Sequence, residues 1–105
     1  MNDGLTEKYR TEIRSIFASC SKIDRVLLFG SRAKGNFRRD SDVDFALEGD
    51  DLVGSDLASL NGKFEESNVP FDIDIVIRAN ITNQNLENQI AQYGIEFYRK
   101  VVIIQ

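Results

Sequence analysis

Gly30 to Asp44 reads G-S-R-A-K-G-N-F-R-R-D-S-D-V-D, a polar turn set between the apolar runs Val26-Leu27-Leu28-Phe29 and Phe45-Ala46-Leu47. Both flanking runs are β-type, so the stretch joins two strands, the second beginning at Asp42. Glycine, serine and four basic residues come first, and two aspartates spaced i and i+2 close it. That order points to phosphate and metal chemistry.

In a strand, residues i and i+2 share a face and lie roughly 6.6–7 Å apart. Asp42 and Asp44 so placed can lean together around divalent cations, which in two-metal phosphoryl-transfer sites stand ~3.5–4 Å apart. Two like charges held this close are costly unless a cation neutralises them. A D-x-D pattern alone is a common surface feature, so its neighbours matter. Gly30 accepts positive φ and lets a phosphate approach the backbone. The Ser31 hydroxyl and the N–H groups that follow can meet phosphate oxygens. Arg32, Lys34, Arg38 and Arg39 can neutralise a triphosphate or its pyrophosphate leaving group. A third carboxylate joins them if the later strand carrying Asp74 lies beside the Asp42–Asp44 strand. Asp72 has the same parity and competes for that role.

The rest of the composition narrows the chemistry. The chain has no histidine and one cysteine, Cys20, which removes histidine or cysteine zinc sites and imidazole general bases. Any metal must be held by oxygen, which favours Mg²⁺, Mn²⁺ or Ca²⁺. The formal net charge of −4 argues against broad nucleic-acid binding, although residues 32–39 form one local basic patch. No apolar run approaches the ~20 residues that span a bilayer. The N-terminus has neither the basic start nor the apolar core of a signal peptide, and Cys20 reads as a buried thiol. A cytoplasmic protein is expected.

Working outward, residues 5–19 read as an amphipathic helix, with Leu5, Tyr9, Ile13, Ile16 and Phe17 on one face. Residues 23–29 read as a strand; its continuous apolar run predicts helices on both faces of the sheet. Residues 32–34 form a short helical turn, and 42–47 the next strand. A helix lies between 51 and 67, burying Leu57, Leu60 and Phe64. In residues 71–77, Phe71, Ile73, Ile75 and Ile77 alternate with Asp72, Asp74 and Val76, which marks a strand. A short helix carrying Leu86, Ile90 and Tyr93 ends at Gly94 as a C′ residue. Residues 95–104 read as a last strand, with Val101–Ile104 an alternative docking or oligomer edge. The order α-β-β-α-β-α-β predicts one domain over residues 1–105, of the α/β (α+β) class, with a mixed sheet flanked by helices.

Gly30-Ser31, ten intervening residues and Asp42-Val43-Asp44 resemble the G-S-x10-D-x-D signature of the nucleotidyltransferase superfamily, whose fold is that of the DNA polymerase β palm. The detail G-S-R-A-K-G…S-D-V-D-F-A-L looks like its minimal nucleotidyltransferase (MNT) branch. The resemblance implies that Gly30 and Ser31 hold a nucleoside triphosphate, with Arg32 and Lys34 beside them. It implies that Asp42, Asp44 and Asp74 bind two Mg²⁺ ions, Asp74 also serving as general base. The reaction implied is attack of a hydroxyl on the α-phosphorus of ATP, with release of pyrophosphate. MNT proteins typically accompany a helical HEPN-domain toxin, so the resemblance further implies an antitoxin. Such an antitoxin would transfer AMP to a tyrosine of that partner or neutralise it by direct binding. A small-molecule nucleotidyltransferase, of the antibiotic-modifying kind, is the remaining alternative.

Overall fold

The computed structural model describes residues 2–102. Its elements are α1 (Glu7–Ala18), β1 (Arg25–Phe29), α2 (Ser31–Lys34), β2 (Val43–Glu48), α3 (Gly54–Glu66) and β3 (Ile73–Ile77). A 3-10 turn at Arg78–Asn80, α4 (Gln84–Tyr93) and β4 (Ile95–Arg99) follow. The four strands form one mixed sheet in the order β3-β2-β1-β4. β1 pairs antiparallel with β2 and β4, whereas β2 and β3 run parallel. A parallel pair cannot be closed by a tight turn, and α3 is the crossover that returns the chain to the starting end of β2.

β1 is central, and its apolar run is buried from both sides, as expected. Val26 and Leu28 join Ile13 and Phe17 of α1 and Leu60 and Phe64 of α3 in the larger core. Leu27 and Phe29 join Ala46 and Ile90 of α4 in a smaller core on the opposite face. Phe17 organises the larger core, meeting Phe45 and Phe64 edge-on at ring-centroid distances of 5.1 and 5.5 Å. Asn83 caps α4 by accepting the Leu86 N–H at 3.1 Å. At the far end of the sheet, Glu48 bridges Arg25 and Arg78, and Arg78 reaches on to Glu87.

Several boundaries differ from the sequence reading. β2 begins at Val43, so Asp42 stands one residue ahead of the strand. β3 begins at Ile73, and Phe71 ahead of it packs edge-on against Tyr9. Leu57 is only half-buried. Gly94 ends α4, as expected, with a φ of −60° rather than in the left-handed conformation. Glycine is required there because the Ile90 carbonyl occupies the space a Cβ would fill. β4 stops at Arg99, which pairs with Arg25, the first residue of β1. One further backbone bond follows, from the Lys100 N–H to the Asp24 carbonyl at 2.8 Å, and Val101 and Val102 are 82% and 71% exposed. Ile103 and Ile104, expected in the same strand, lie outside the described residues. Among the described residues no helix is long and apolar enough to cross a membrane.

Candidate active site

The sheet brings the two ends of the signature together. Asp44, the second residue of β2, is paired with Phe29 at the end of β1 on one side and with Asp74 of β3 on the other. Paired residues on neighbouring strands point to the same face, so both carboxylates leave the sheet on the α4 side. Asp42, two residues before Asp44, is exposed at the same edge.

Gly30 follows Phe29 and turns the chain into α2. Its φ of 76° and ψ of −156° belong to a region only glycine occupies without strain. A Cβ there would also run into the Asp44 carboxylate. Two independent constraints therefore demand glycine beside the acid. Ser31 opens α2 half-buried, and its carbonyl accepts the N–H groups of Gly35 and Asn36 at 3.0 and 3.2 Å. Gly35 ends the turn in the left-handed conformation. Lys34 is exposed, its Nζ 5.1 Å from the centroid of the Tyr93 ring.

The acids repel one another. Burial, then the charges of Asp74 and Asp42, push the Asp44 carboxyl up to about 6. The Asp74 carboxyl is also raised: partial loss of water acts first, although the residue is exposed, followed by the nearby carboxylates of Asp42 and Asp72. A divalent cation relieves this kind of repulsion, and a set of carboxylate oxygens suits a hard cation. Among the described residues no three acidic, His or Cys side chains are gathered tightly enough to enclose an ion as they stand. The donor chemistry fits, and the carboxylates need to draw inward around the ion.

Asp42, Asp72 and Asp74 line a cleft of about 580 Å³ that continues to Phe71, Asn61 and Glu65 of α3. The alternative left open between Asp72 and Asp74 acquires a geometry here. Asp74 is in register with Asp44, whereas Asp72 precedes β3 and its carbonyl accepts the Val43 N–H at 2.9 Å.

Arg32 is not where the sequence reading put it. That reading set its guanidinium beside the phosphates, but the residue is 1% exposed. Its Nη1 donates to the Asp3 carbonyl at 2.9 Å, and its Nε and Nη2 donate to the Ser41 carbonyl at 3.2 and 2.9 Å. The rings of Phe37 and Phe71 flank it at 4.8 and 4.6 Å. Its donors are occupied by protein carbonyls, whereas Lys34, Arg38 and Arg39 are exposed. The contacts of Asp3, Phe37 and Phe71 with Arg32 went unnoticed in the sequence, since no local pattern links them to residue 32.

The family model described as "Polymerase beta, Nucleotidyltransferase" matches residues 11–101. Comparison with curated proteins gave no match. Among solved structures, a chain of a toxin–antitoxin crystal structure with AMP-PNP has a TM-score of 0.72 and 24% identity, over 87% of this chain and 73% of that one. A chain of the toxin–antitoxin MntA-HepT has a TM-score of 0.68 and 20% identity, over 90% of this chain and 74% of that one. A third match comes from a tri-AMPylated Shewanella oneidensis HEPN toxin in complex with MNT antitoxin. Its TM-score is 0.67 at 19% identity, over 91% of this chain and 74% of that one. At such identities the likeness establishes the shared fold.

Proposed function

The chain belongs to the polymerase beta nucleotidyltransferase family, and from that premise we propose that residues 1–105 form a single domain that transfers AMP from ATP to a hydroxyl group. The observation that carries the reading is the register of Asp44 with Asp74, next to a glycine that leaves no room for a side chain. Asp42, Asp44 and Asp74 would hold two Mg²⁺ ions. Bound Mg²⁺ supplies Lewis-acid stabilisation of the charge that develops on the phosphoryl oxygens. Gly30 lets the triphosphate lie against the backbone, and the Ser31 hydroxyl and Lys34 orient it. The acceptor oxygen attacks the α-phosphorus, the bond to the β-phosphate oxygen breaks, and pyrophosphate leaves. The Asp74 carboxylate takes the hydroxyl proton; its raised affinity for protons suits a general base.

The acceptor we propose is a tyrosine on a helical HEPN-type toxin, which makes this chain a cytoplasmic antitoxin. Support comes from the structural likeness to toxin–antitoxin complexes, one described with AMP-PNP and one with a tri-AMPylated HEPN toxin. The test is substitution of the acids. Asp42→Asn and Asp44→Asn should each abolish AMP transfer while the domain stays folded by circular dichroism. Transfer at the wild-type rate by either variant would overturn the assignment. A double variant that makes no transfer yet still neutralises the toxin would move the function to neutralisation by binding.

A further inference from the structure

We propose that Arg32 is a positioning residue that sets the cation site from behind, with the N-terminal segment around Asp3 as its anchor. The inference rests on the reading of Asp42, Asp44 and Asp74 as metal ligands. Arg32 makes its shortest link to the acids through the Ser41 carbonyl, which accepts two of its N–H groups and belongs to the residue immediately before Asp42. The same guanidinium lies between Phe37, in the loop leading to Asp42, and Phe71, in the segment leading to Asp74. One side chain thus braces both approaches to the acid pair.

Arg32 is itself held in place. The Asp3 backbone carbonyl accepts its Nη1, and the Asp3 carboxylate bonds Arg10 of α1 and the Leu5 N–H. Asp3 is 4% exposed, an unusual burial for an acid. Gly4 has a φ of 78°, and a Cβ there would strike Arg32 Nη1 and the Phe37 ring. Residues 3–5 therefore wrap the guanidinium rather than trail from the helix. The planar fork matters: two donors converge on one carbonyl while the faces stack on rings. A lysine ammonium offers neither arrangement.

Residues that orient metal ligands typically alter metal affinity or activity 10–100-fold. The experiment is a nucleotide-free Mn²⁺ titration of the full chain, read by the loss of the free-ion electron paramagnetic resonance signal. The variants are wild type, Arg32→Lys and Phe37→Leu, with circular dichroism on each. Phe37 lies outside both cores, so Phe37→Leu removes a stacking partner without opening the hydrophobic interior. Weakening of Mn²⁺ binding by about tenfold in Arg32→Lys, with native circular dichroism, supports the proposal. If Arg32→Lys fails to fold, a severalfold weakening in Phe37→Leu supports it in its place. Wild-type Mn²⁺ affinity in a folded Arg32→Lys, or in Phe37→Leu where Arg32→Lys does not fold, would overturn it. That is also the result expected of an arginine acting only on phosphate, since no nucleotide is present. Absence of Mn²⁺ uptake by the wild type would instead overturn the metal-site reading on which this one stands.

Discussion

Asp44 and Asp74 stand side by side on parallel strands, facing the same way, with no basic side chain between them in the register. Their mutual repulsion has a consequence for stability. The Asp44 carboxyl is raised from 3.8 to about 6, by burial first and by its acidic neighbours next. The folded chain therefore holds that proton more tightly than the unfolded chain. The stability this contributes is full below pH 4 and is lost as the pH rises through 6. Mn²⁺ should reverse the loss. At ten times its Kd it adds about 1.4 kcal/mol, or roughly 5–10 °C in a domain of this size. The gain should be clear at pH 7.5 and small at pH 5, where the proton competes with the ion. Thermal melts at both values check it, and equal shifts at the two would contradict the assignment.

Gly30 and Gly35 both have positive φ, yet their surroundings differ. A Cβ at Gly30 meets the Asp44 carboxylate, whereas at Gly35 it meets nothing within 4 Å. Gly35→Ala should cost only the backbone strain, about 1–2 kcal/mol, with AMP transfer largely retained. Gly30→Ala should cost about 1–3 kcal/mol and also displace Asp44, lowering transfer about 100-fold or more by loss of alignment. Urea melts and transfer rates on the pair separate strain from displacement.

Glu48, at the opposite end of β2, is held below the usual carboxylate range by its hydrogen bond to Arg25, despite partial burial, and by a second bond to Arg78. Its contribution is present above the unfolded value near 4.5 and is lost as the pH falls through the lower folded value. Glu48→Gln should lose roughly 1.5–3 kcal/mol at pH 7, and the difference should shrink as the pH falls below 4.5. Denaturant midpoints across that range check it, and AMP transfer should be little affected.

Much of the site was legible because its signals are local. Asp42 and Asp44 share a strand-type spacing, and Gly30-Ser31 follows an apolar run whose burial on both faces is visible in four consecutive residues. Asp74 was legible only as one of two acids of equal parity, since strand register is a long-range property. Arg32 was misread for the same reason. Its partners are main-chain carbonyls at positions 3 and 41 and two rings at 37 and 71, none at a spacing that any motif encodes. The length of β4 was overread because apolar composition at Val101 and Val102 continues past the Arg99–Arg25 pair and the Lys100–Asp24 backbone bond. Gly94 was correctly read as a helix stop, and close approach of the Ile90 carbonyl rather than positive φ requires glycine there.

AMP transfer by this chain is tested by following the label. The purified protein, Mg²⁺ and the proposed HEPN-type partner are incubated with ATP labelled at either the α- or the γ-phosphorus, in parallel with Asp44→Asn. The account predicts label on a partner tyrosine from α-³²P-ATP only, and none with Asp44→Asn. Label from the γ-phosphorus, an unlabelled partner with the wild-type chain, or undiminished labelling by Asp44→Asn would contradict it.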